Sequence, residues 1–371
     1  MSDLGAMHNR VKARRRERGW SQEELSRRAG ISRAAVSAVE TGRLVPSVLA
    51  AIGLAEALGA SVEELFGRAR PAGEDPSWAW PATTDPCRFW RAEVGGRIRL
   101  YPAEPTPGGV VAHDGVARGG AAEVDGGREP GETLVLACCD PAAGLLAAEY
   151  EKATGFRLLV LPRSSGRALE LLREGLVHAA GLHLSTPEDP DGNARAVSDR
   201  LGEAWGLLGV ARWEEGLAVA GGVPGRSVRS ILQADLCWVG RESGSGARKC
   251  LDRLRAGRPE PGRVAFDHRG VADAIRFGWA EAGVCLRLAA EEAGLRVLGI
   301  QVEAYELCVP VRLERDPRLQ ALIRVVRSAP YRRALAALPG YDPSGAGEWR
   351  RVEAGAAAPV EGESGRPGPS G

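Results

Sequence analysis

The sequence predicts a two-part protein, with an N-terminal all-α unit of five helices followed by an α/β unit built in two lobes. Three observations lead there. At 371 residues the chain is too long for one ordinary core and long enough for two or three domains. Residues 8 to 66 carry only helical patterns, punctuated by Gly, Ser and Pro. From Thr133 to about Tyr341, short apolar runs alternate with helical stretches, the order of a mostly parallel sheet covered by helices. No apolar run reaches the ~20 residues that would cross a bilayer. The opening MSDLGAMHNR lacks an apolar signal core. A cytoplasmic location with no membrane partner is therefore expected.

In the first unit, HNRVKARRRERG suits one helix, stopped by Gly19. Ser21 caps SQEELSRRA, and Glu24 three residues on completes a capping-box pattern. Gly30 makes a turn, and Ser32 caps SRAAVSAVE, which ends near Thr41-Gly42. Pro46-Ser47 opens VLAAIGLAEALG, and SVEELF gives a short fifth helix. Leu25, Ala29, Ile31, Val36 and Val39 are spaced to form a small core between the second and third helices. Ser32, Arg33, Ala34 and Ser37 then fall on the outer face of the third helix, and a helix fits the DNA major groove. Gln22 stands at an N-terminus where amide and backbone donors can meet a phosphate. Arg43, just past the third helix, reaches toward another. Residues 1 to 43 carry ten Lys/Arg against five Asp/Glu, a local excess that suits a phosphate-bearing partner.

The run W-S-Q-E-E-L-S-R-R-A-G-I-S-R-A-A-V-S-A-V-E-T-G-R resembles the Cro and phage-repressor type of helix-turn-helix, the xenobiotic-response-element family. The resemblance covers residues 8 to 66. It implies a homodimer on a double-stranded DNA operator, with half-sites about one helical turn, ~10 bp, apart.

Residues 67 to 85 read as a linker. RFWRAEVGGRIRLYP alternates in polarity about Gly95-Gly96, as a β-hairpin does, and residues 102 to 131 give no firm prediction. The expected domains are 1–68, an all-α helix-turn-helix domain; 69–131, a linker with a small β-hairpin; 132–342, the two-lobed α/β domain; and 343–371, a disordered tail poor in groups to bury.

In the α/β unit the strand-like runs are TLVLACC, FRLLVL, VHAAGLHL, GLLGVAR, GLAVAGG, DLCWVG, RVAF and GVCLR. Two Ser/Gly-rich turns open helices. One holds Ser164, Ser165 and Gly166; the other holds Ser243, Gly244, Ser245 and Gly246. Helix starts present free N–H groups and a positive dipole end, which suit an anion. Arg163, Arg241 and Arg248 lie beside them. Asp140, before Pro141, reads as a helix cap.

The ordered pieces L-A-C-C-D-P-A-A-G-L-L-A, A-G-L-H-L, W-E-E-G-L-A-V-A-G-G, R-E-S-G-S-G-A-R, D-H-R-G-V-A-D-A-I, E-A-G-V-C-L and Y-E-L-C-V-P-V resemble a type II periplasmic-binding-protein-like domain. This is the domain found in cytoplasmic regulators and beside molybdopterin-synthesis proteins. The resemblance implies two lobes closing on a ligand, with GLAVAGG and YELCVPV as the crossings. It also implies an oxyanion effector such as molybdate or tungstate, held by Ser164, Ser165, Ser243 and Ser245 with neighbouring backbone N–H groups. Gly166, Gly244, Gly246 and Arg248 belong to the same turns. Val177-His178 and Cys138 depart from the family's pattern. His183, His268 and Tyr305 fall where they either face the cleft or serve the core. A cleft-facing Asp140 would disfavour a bare oxyanion and favour a larger, molybdopterin-related metabolite.

The seven cysteines include no C-x-x-C pair, so neither a disulfide framework nor a zinc site is expected, and no cofactor. Cys138-Cys139 read as core filling at a strand end rather than redox sensing or soft-metal binding. No nucleophile elbow, Walker loop, metal triad or paired-carboxylate motif is present, so no enzyme is expected. A molybdate carrier would not need residues 21 to 40. The expectation is a ligand-responsive transcriptional regulator.

Overall fold

The computed structural model describes residues 11–60, 62–66, 77–104, 110–201 and 204–352. The chain divides into two compact units, Met1–Glu74 and Asp75–Gly371.

The first unit holds α1 (Val11–Glu17), α2 (Gln22–Ala29), α3 (Arg33–Glu40), α4 (Val48–Leu58) and α5 (Val62–Phe66). Ser21, Ser32 and Ser47 cap α2, α3 and α4, each hydroxyl accepting the N–H three residues on. Only half of the predicted capping box forms, because the Glu24 carboxylate turns to Arg27 and Arg28. Leu25, Ala29, Val36 and Val39 are buried with Leu54, Leu58 and Leu65, and Ile31 packs at the edge of this core. Gly53 lets α4 cross α2 closely: a Cβ there would stand 2.6 Å from the Ala29 carbonyl oxygen. A polar network ties three helices together. Arg15 pairs with Glu40 at 2.6 and 3.0 Å, and the Gln22 amide donates to the same carboxylate at 2.9 Å.

The second unit opens with a five-stranded sheet of β1 (Ser77–Trp78), β2 (Cys87–Val94), β3 (Arg97–Pro102), β4 (Gly115–Arg118) and β5 (Ala121–Val124), in the order β1-β3-β2-β4-β5. The expected hairpin is there as β2–β3, with Gly95 and Gly96 both at positive φ, 63° and 77°. The remaining strands correct the expectation that 69–131 is a linker carrying that hairpin alone. Its strands are short and split by Gly and Pro, so their alternation is weak in sequence. Tertiary burial supplies what local pattern lacks. Trp90, Ala92, Val94 and Tyr101 pack on Val135, Leu159 and Leu172 of the main domain. Tyr101 donates to the Leu176 carbonyl at 2.6 Å, and Arg157 pairs with buried Asp114 at 2.7 Å.

The main sheet is built in two halves. The first lobe contains β6 (Thr133–Cys138), α6 (Ala143–Thr154), β7 (Arg157–Pro162), α7 (Ser165–Arg173), β8 (Ala179–Ser185) and α8 (Gly192–Arg200). Strand β9 (Trp205–Val219) then leads to the second lobe. That lobe contains α9 (Val228–Gln233), β10 (Trp238–Arg241), α10 (Gly246–Leu254), β11 (Arg263–Ala265), α11 (His268–Arg276), β12 (Ala282–Leu286) and α12 (Arg287–Glu292). Strand β13 (Arg296–Pro310) returns, followed by α13 (Pro317–Arg327), α14 (Ala329–Ala336), β14 (Tyr341–Asp342) and β15 (Trp349–Val352). The strand order is β11-β10-β12-β9-β13-β8-β6-β7, with β14 and β15 also paired to β9. Parallel pairs make up the heart of each lobe, and the antiparallel pair β9–β13 joins them.

Two boundaries shift from the sequence reading. GLLGVAR and GLAVAGG are two ends of one 15-residue strand, β9. The charged residues between them do not break it, since Glu214 pairs with Arg287 and Glu215 is bonded by Gln301. Each predicted crossing is therefore one end of a longer crossing strand. At the other end of the chain, Trp349–Val352 of the predicted disordered tail pairs with β9. There Gly206 makes room for the Trp349 ring, 2.0 Å from where a Cβ would stand. Residues 353–371 lie outside the described residues, as do residues 67–76 of the predicted linker.

Candidate functional site

In the first unit the predicted outer face of α3 is where the sequence places it. Ser32, Arg33 and Ala34 are exposed and Ser37 is half-buried. Ser32 Oγ is engaged as the cap of Ala35 N–H, and Arg33 stands free of close pairing, with Glu23 at 3.9 Å. Arg43 is exposed and donates to Thr41. Gln22 differs, because its amide is spent on Glu40 and braces α2 against α3.

In the second unit the segments that follow β6, β7 and β10 meet between the lobes, at the carboxyl ends of parallel strands where open α/β sheets usually hold ligands. The two Ser/Gly turns meet there. A Cβ on Gly166, at the start of α7, would stand 3.2 Å from the Gly244 carbonyl oxygen. A Cβ on Gly246, at the start of α10, would stand 2.7 Å from the His183 ring. The turns nevertheless differ. Ser245 serves its own helix, accepting from Arg248 N–H and donating to the Glu242 carbonyl, and Ser243 is exposed. Ser164 makes no capping bond to α7, and the buried Ser165 hydroxyl has no partner.

The three arginines beside the turns separate in the same way. Arg163 leaves the cleft to pair with Glu104 and lie over Trp80. Arg248 is held by Asp252 and Glu260. Arg241 is 1% exposed, and its guanidinium makes one hydrogen bond, to the Phe266 carbonyl at 3.2 Å. Its Nε and Nη1 atoms have no partner. A buried cation left in that state costs stability, and this one stands at the carboxyl end of β10.

At the centre of the cleft Cys139, His183 and His268 gather. The Cys139 sulfur lies 3.1 Å from His183 Nε2 and 3.9 Å from His268 Nε2. His183 Nδ1 meets Glu303 at 2.7 Å, and Trp213 Nε1 donates to the same carboxylate oxygen at 3.0 Å. The Gln301 amide bridges Glu303 and Glu215, at 2.7 and 2.9 Å. Burial works against a charge on His183, but Cys139 and Glu303 beside it prevail and push its pKa well up. Burial would likewise raise Glu303, and His183 prevails to hold it low. Glu215, buried and next to that carboxylate, is pushed well up. His268 is pushed well down by burial, then by Arg241 and His183, and is neutral. Asp140 is buried and does not cap α6. Its carboxylate accepts from Ala142 N–H at 2.8 Å and from the Tyr341 hydroxyl at 2.6 Å. Burial lifts its pKa to about 6. Tyr305 stacks on Trp213 with centroids 4.4 Å apart, and its hydroxyl has no partner.

Between the lobes the structure brings together Gly166 with Gly244, Gly246 with His183, and His183 with His268 around Cys139, while Ser165 is buried at the start of α7; Asp140 bonds Tyr341, and Tyr305 packs in the core. The structure sends Ser243 and Arg248 outward and assigns Ser245 to its own helix. Sequence reasoning missed Trp213, Glu215 and Glu303, whose one signal is a charged or aromatic residue interrupting an apolar crossing strand. It also paired Cys138 with Cys139. Strand alternation parts them: Cys138 packs in the core, and Cys139 faces the two histidines. Their separation in sequence hides that cluster from any spacing rule. His178, a departure from the family pattern, is buried, accepting from Val135 N–H and meeting the Glu93 carbonyl, both at 2.9 Å.

Comparison with known proteins fits this architecture. A helix-turn-helix family profile matches residues 11–65, and a PBP superfamily domain profile matches residues 147–327. An uncharacterized helix-turn-helix-type transcriptional regulator of Bacillus subtilis, YgzD, is 40% identical over 60 residues, 16% of this chain and 91% of that protein. The chain belongs to the helix-turn-helix family. Behind that domain it carries a two-lobed, periplasmic-binding-protein-like α/β domain. An uncharacterized B. subtilis protein, YvgK, is 28% identical over 213 residues, covering 55% of this chain and 68% of that protein. Among solved structures, a putative phosphate ABC transporter substrate-binding protein with bound phosphate from Clostridium perfringens aligns with a TM-score of 0.44 and 10% identity. That alignment spans 55% of this chain and 96% of that one. Among the described residues no helix of this helix-turn-helix protein is long and apolar enough to cross a membrane.

Proposed function

We propose that this helix-turn-helix protein is a DNA-binding transcriptional regulator whose two-lobed domain senses a small anionic effector between its lobes. The observation that carries the reading is Arg241, a buried guanidinium with two unpartnered nitrogens, together with the unpartnered Ser165 hydroxyl at the uncapped start of α7, the two turns meeting at Gly166 and Gly244. An oxyanion such as molybdate or tungstate would supply the missing charge and acceptors. Effector binding favours one lobe arrangement, and that bias reaches the operator through paired DNA-binding heads. A homodimer in the cytoplasm is part of this reading. Exposed Leu44, Val45, Val48, Leu49 and Ile52 give the first unit an apolar surface for a second copy.

A thermal-shift screen of the full chain against tungstate, molybdate, sulfate and phosphate tests it. A ligand at 100 times its Kd should stabilise by ~2.7 kcal/mol, and Arg241→Met should abolish that response while the chain stays folded. Equal responses of the two proteins would remove Arg241 from the site. For the DNA side, Arg33→Ala should cost about 1–3 kcal/mol on the operator and relax base preference. An equal loss on random DNA would reduce Arg33 to a phosphate contact.

A second reading has its own support. Asp140, Glu215 and Glu303 are buried acids, and Glu303 bonds Trp213, which stacks on Tyr305. Acids and aromatic faces suit a larger, pterin-like metabolite with donor groups better than a bare oxyanion. Stabilisation by pterins but by no oxyanion would select it.

A further inference from the structure

We infer that Cys139, His183 and His268 form a binding site for a single borderline-soft transition-metal cation of the zinc class, assembled across the cleft when the lobes close. The three donor atoms lie within 4.8 Å of one another, and this is the cluster of its kind among the described residues. Around a tetrahedral zinc ion, sulfur and imidazole donors stand roughly 3.4–3.6 Å apart. The Cys139–His183 and Cys139–His268 separations of 3.1 and 3.9 Å bracket that spacing. Cysteine and histidine are the donors that such ions prefer over oxygen ligands.

The surroundings are those of a metal site rather than of a packed core. His183 turns its second nitrogen to Glu303, which is itself held by Trp213 and Gln301. A carboxylate behind a ligating histidine fixes the ring and strengthens it as a donor. Three protein donors leave a fourth position open, the arrangement of a site that accepts a further ligand. Arg241 of the second lobe and the Ser165 hydroxyl of the first are left without partners, and both suit an anion between the lobes.

The ligands come from both lobes. Cys139 follows β6 and His183 lies on β8, both in the first lobe, while His268 opens α11 in the second. The metal thus bridges the lobes, and His268 is its closing ligand. That ligand is the weakest of the three. The Leu286 N–H faces His268 Nδ1 at 3.3 Å, and a ring ligating through Nε2 carries its proton on Nδ1. The ring must turn slightly from Leu286 to bind.

The regulatory consequence rests on the reading of the cleft as the effector site, while the metal site stands on its own geometry. Co2+ titration of the chelator-treated full chain under reducing conditions tests it. One equivalent should give a near-ultraviolet sulfur-to-cobalt charge-transfer band and intense visible bands of a tetrahedral ion, all displaced by Zn2+. Cys139→Ser should remove the charge-transfer band, and Cys237→Ser, which alters the exposed thiol, should leave it. His183→Ala should weaken Co2+ binding at least tenfold, and His268→Ala less. Absence of the sulfur band in the unaltered chain overturns the site without need of any variant, as does a band that survives Cys139→Ser. If cobalt does not bind but tungstate still stabilises the chain, the metal inference falls and the anion reading stands. If cobalt binds and no anion does, the reverse holds.

Discussion

The two Ser/Gly turns look alike in sequence and do opposite work. The turn at Arg163–Gly166 gives its arginine away to Glu104, leaves α7 uncapped and keeps a buried hydroxyl without a partner. The turn at Arg241–Gly246 caps its own helix through Ser245 and neutralises Arg248, but strands Arg241. The first lobe thus offers donors with no charge behind them, and the second offers a charge with its donors already spent. Neither turn is a complete anion site. Pressed together at Gly166 and Gly244, they complement each other.

Acid should give the largest effect. His178 stands just before β8 in the first lobe, and burial pushes its pKa down to about 4 from an ordinary 6.5. The folded state keeps this histidine neutral while the unfolded chain takes up the proton first. Its contribution is complete above pH ~6.5 and is lost as pH falls toward 4, on the order of 3 kcal/mol in all. Hydrogen exchange against pH should show the first lobe and its five-stranded sheet losing protection in that window. A pH-independent first lobe would refute this.

Gly246→Ala attacks the contact between the lobes. Its Cβ would press on the His183 ring and carbonyl at 2.7 and 3.0 Å. Overpacking of this kind costs about 1–3 kcal/mol. The cost should fall on closure rather than on folding of either lobe, and be read as weakened effector stabilisation with little change in circular dichroism. The smallest effects compare the turns directly. Ser245→Ala removes a cap and should lower stability by about 1 kcal/mol. Ser165→Ala removes an unpaired hydroxyl and should leave the unliganded protein as stable or slightly more so, while weakening the effector response. Equal losses of stability in the two variants would erase the distinction between the turns.

Much of this was legible without coordinates. Local signals mark the DNA-binding unit: serine caps at 21, 32 and 47, the left-handed Gly30, and an apolar period that buries Leu25, Val36 and Val39. Helix caps and helical periodicity act within a few residues, so sequence displays them. The order of strands and helices gave the two-lobed class for the same reason. The five-stranded sheet was not legible, because its short strands are stabilised by the neighbour on which Trp90 and Tyr101 pack.

The cleft shows the division most sharply. Sequence alone determined that Ser/Gly turns open α7 and α10 and that cysteine and histidine fall near strand ends. Only the tertiary structure decided which hydroxyls and guanidinium nitrogens are left over, and that Cys139, His183 and His268 meet. Hydrogen-bond satisfaction is settled by whatever comes within ~3 Å. Here the deciding partners, such as Glu104, Glu303 and Leu286, come from segments distant in sequence.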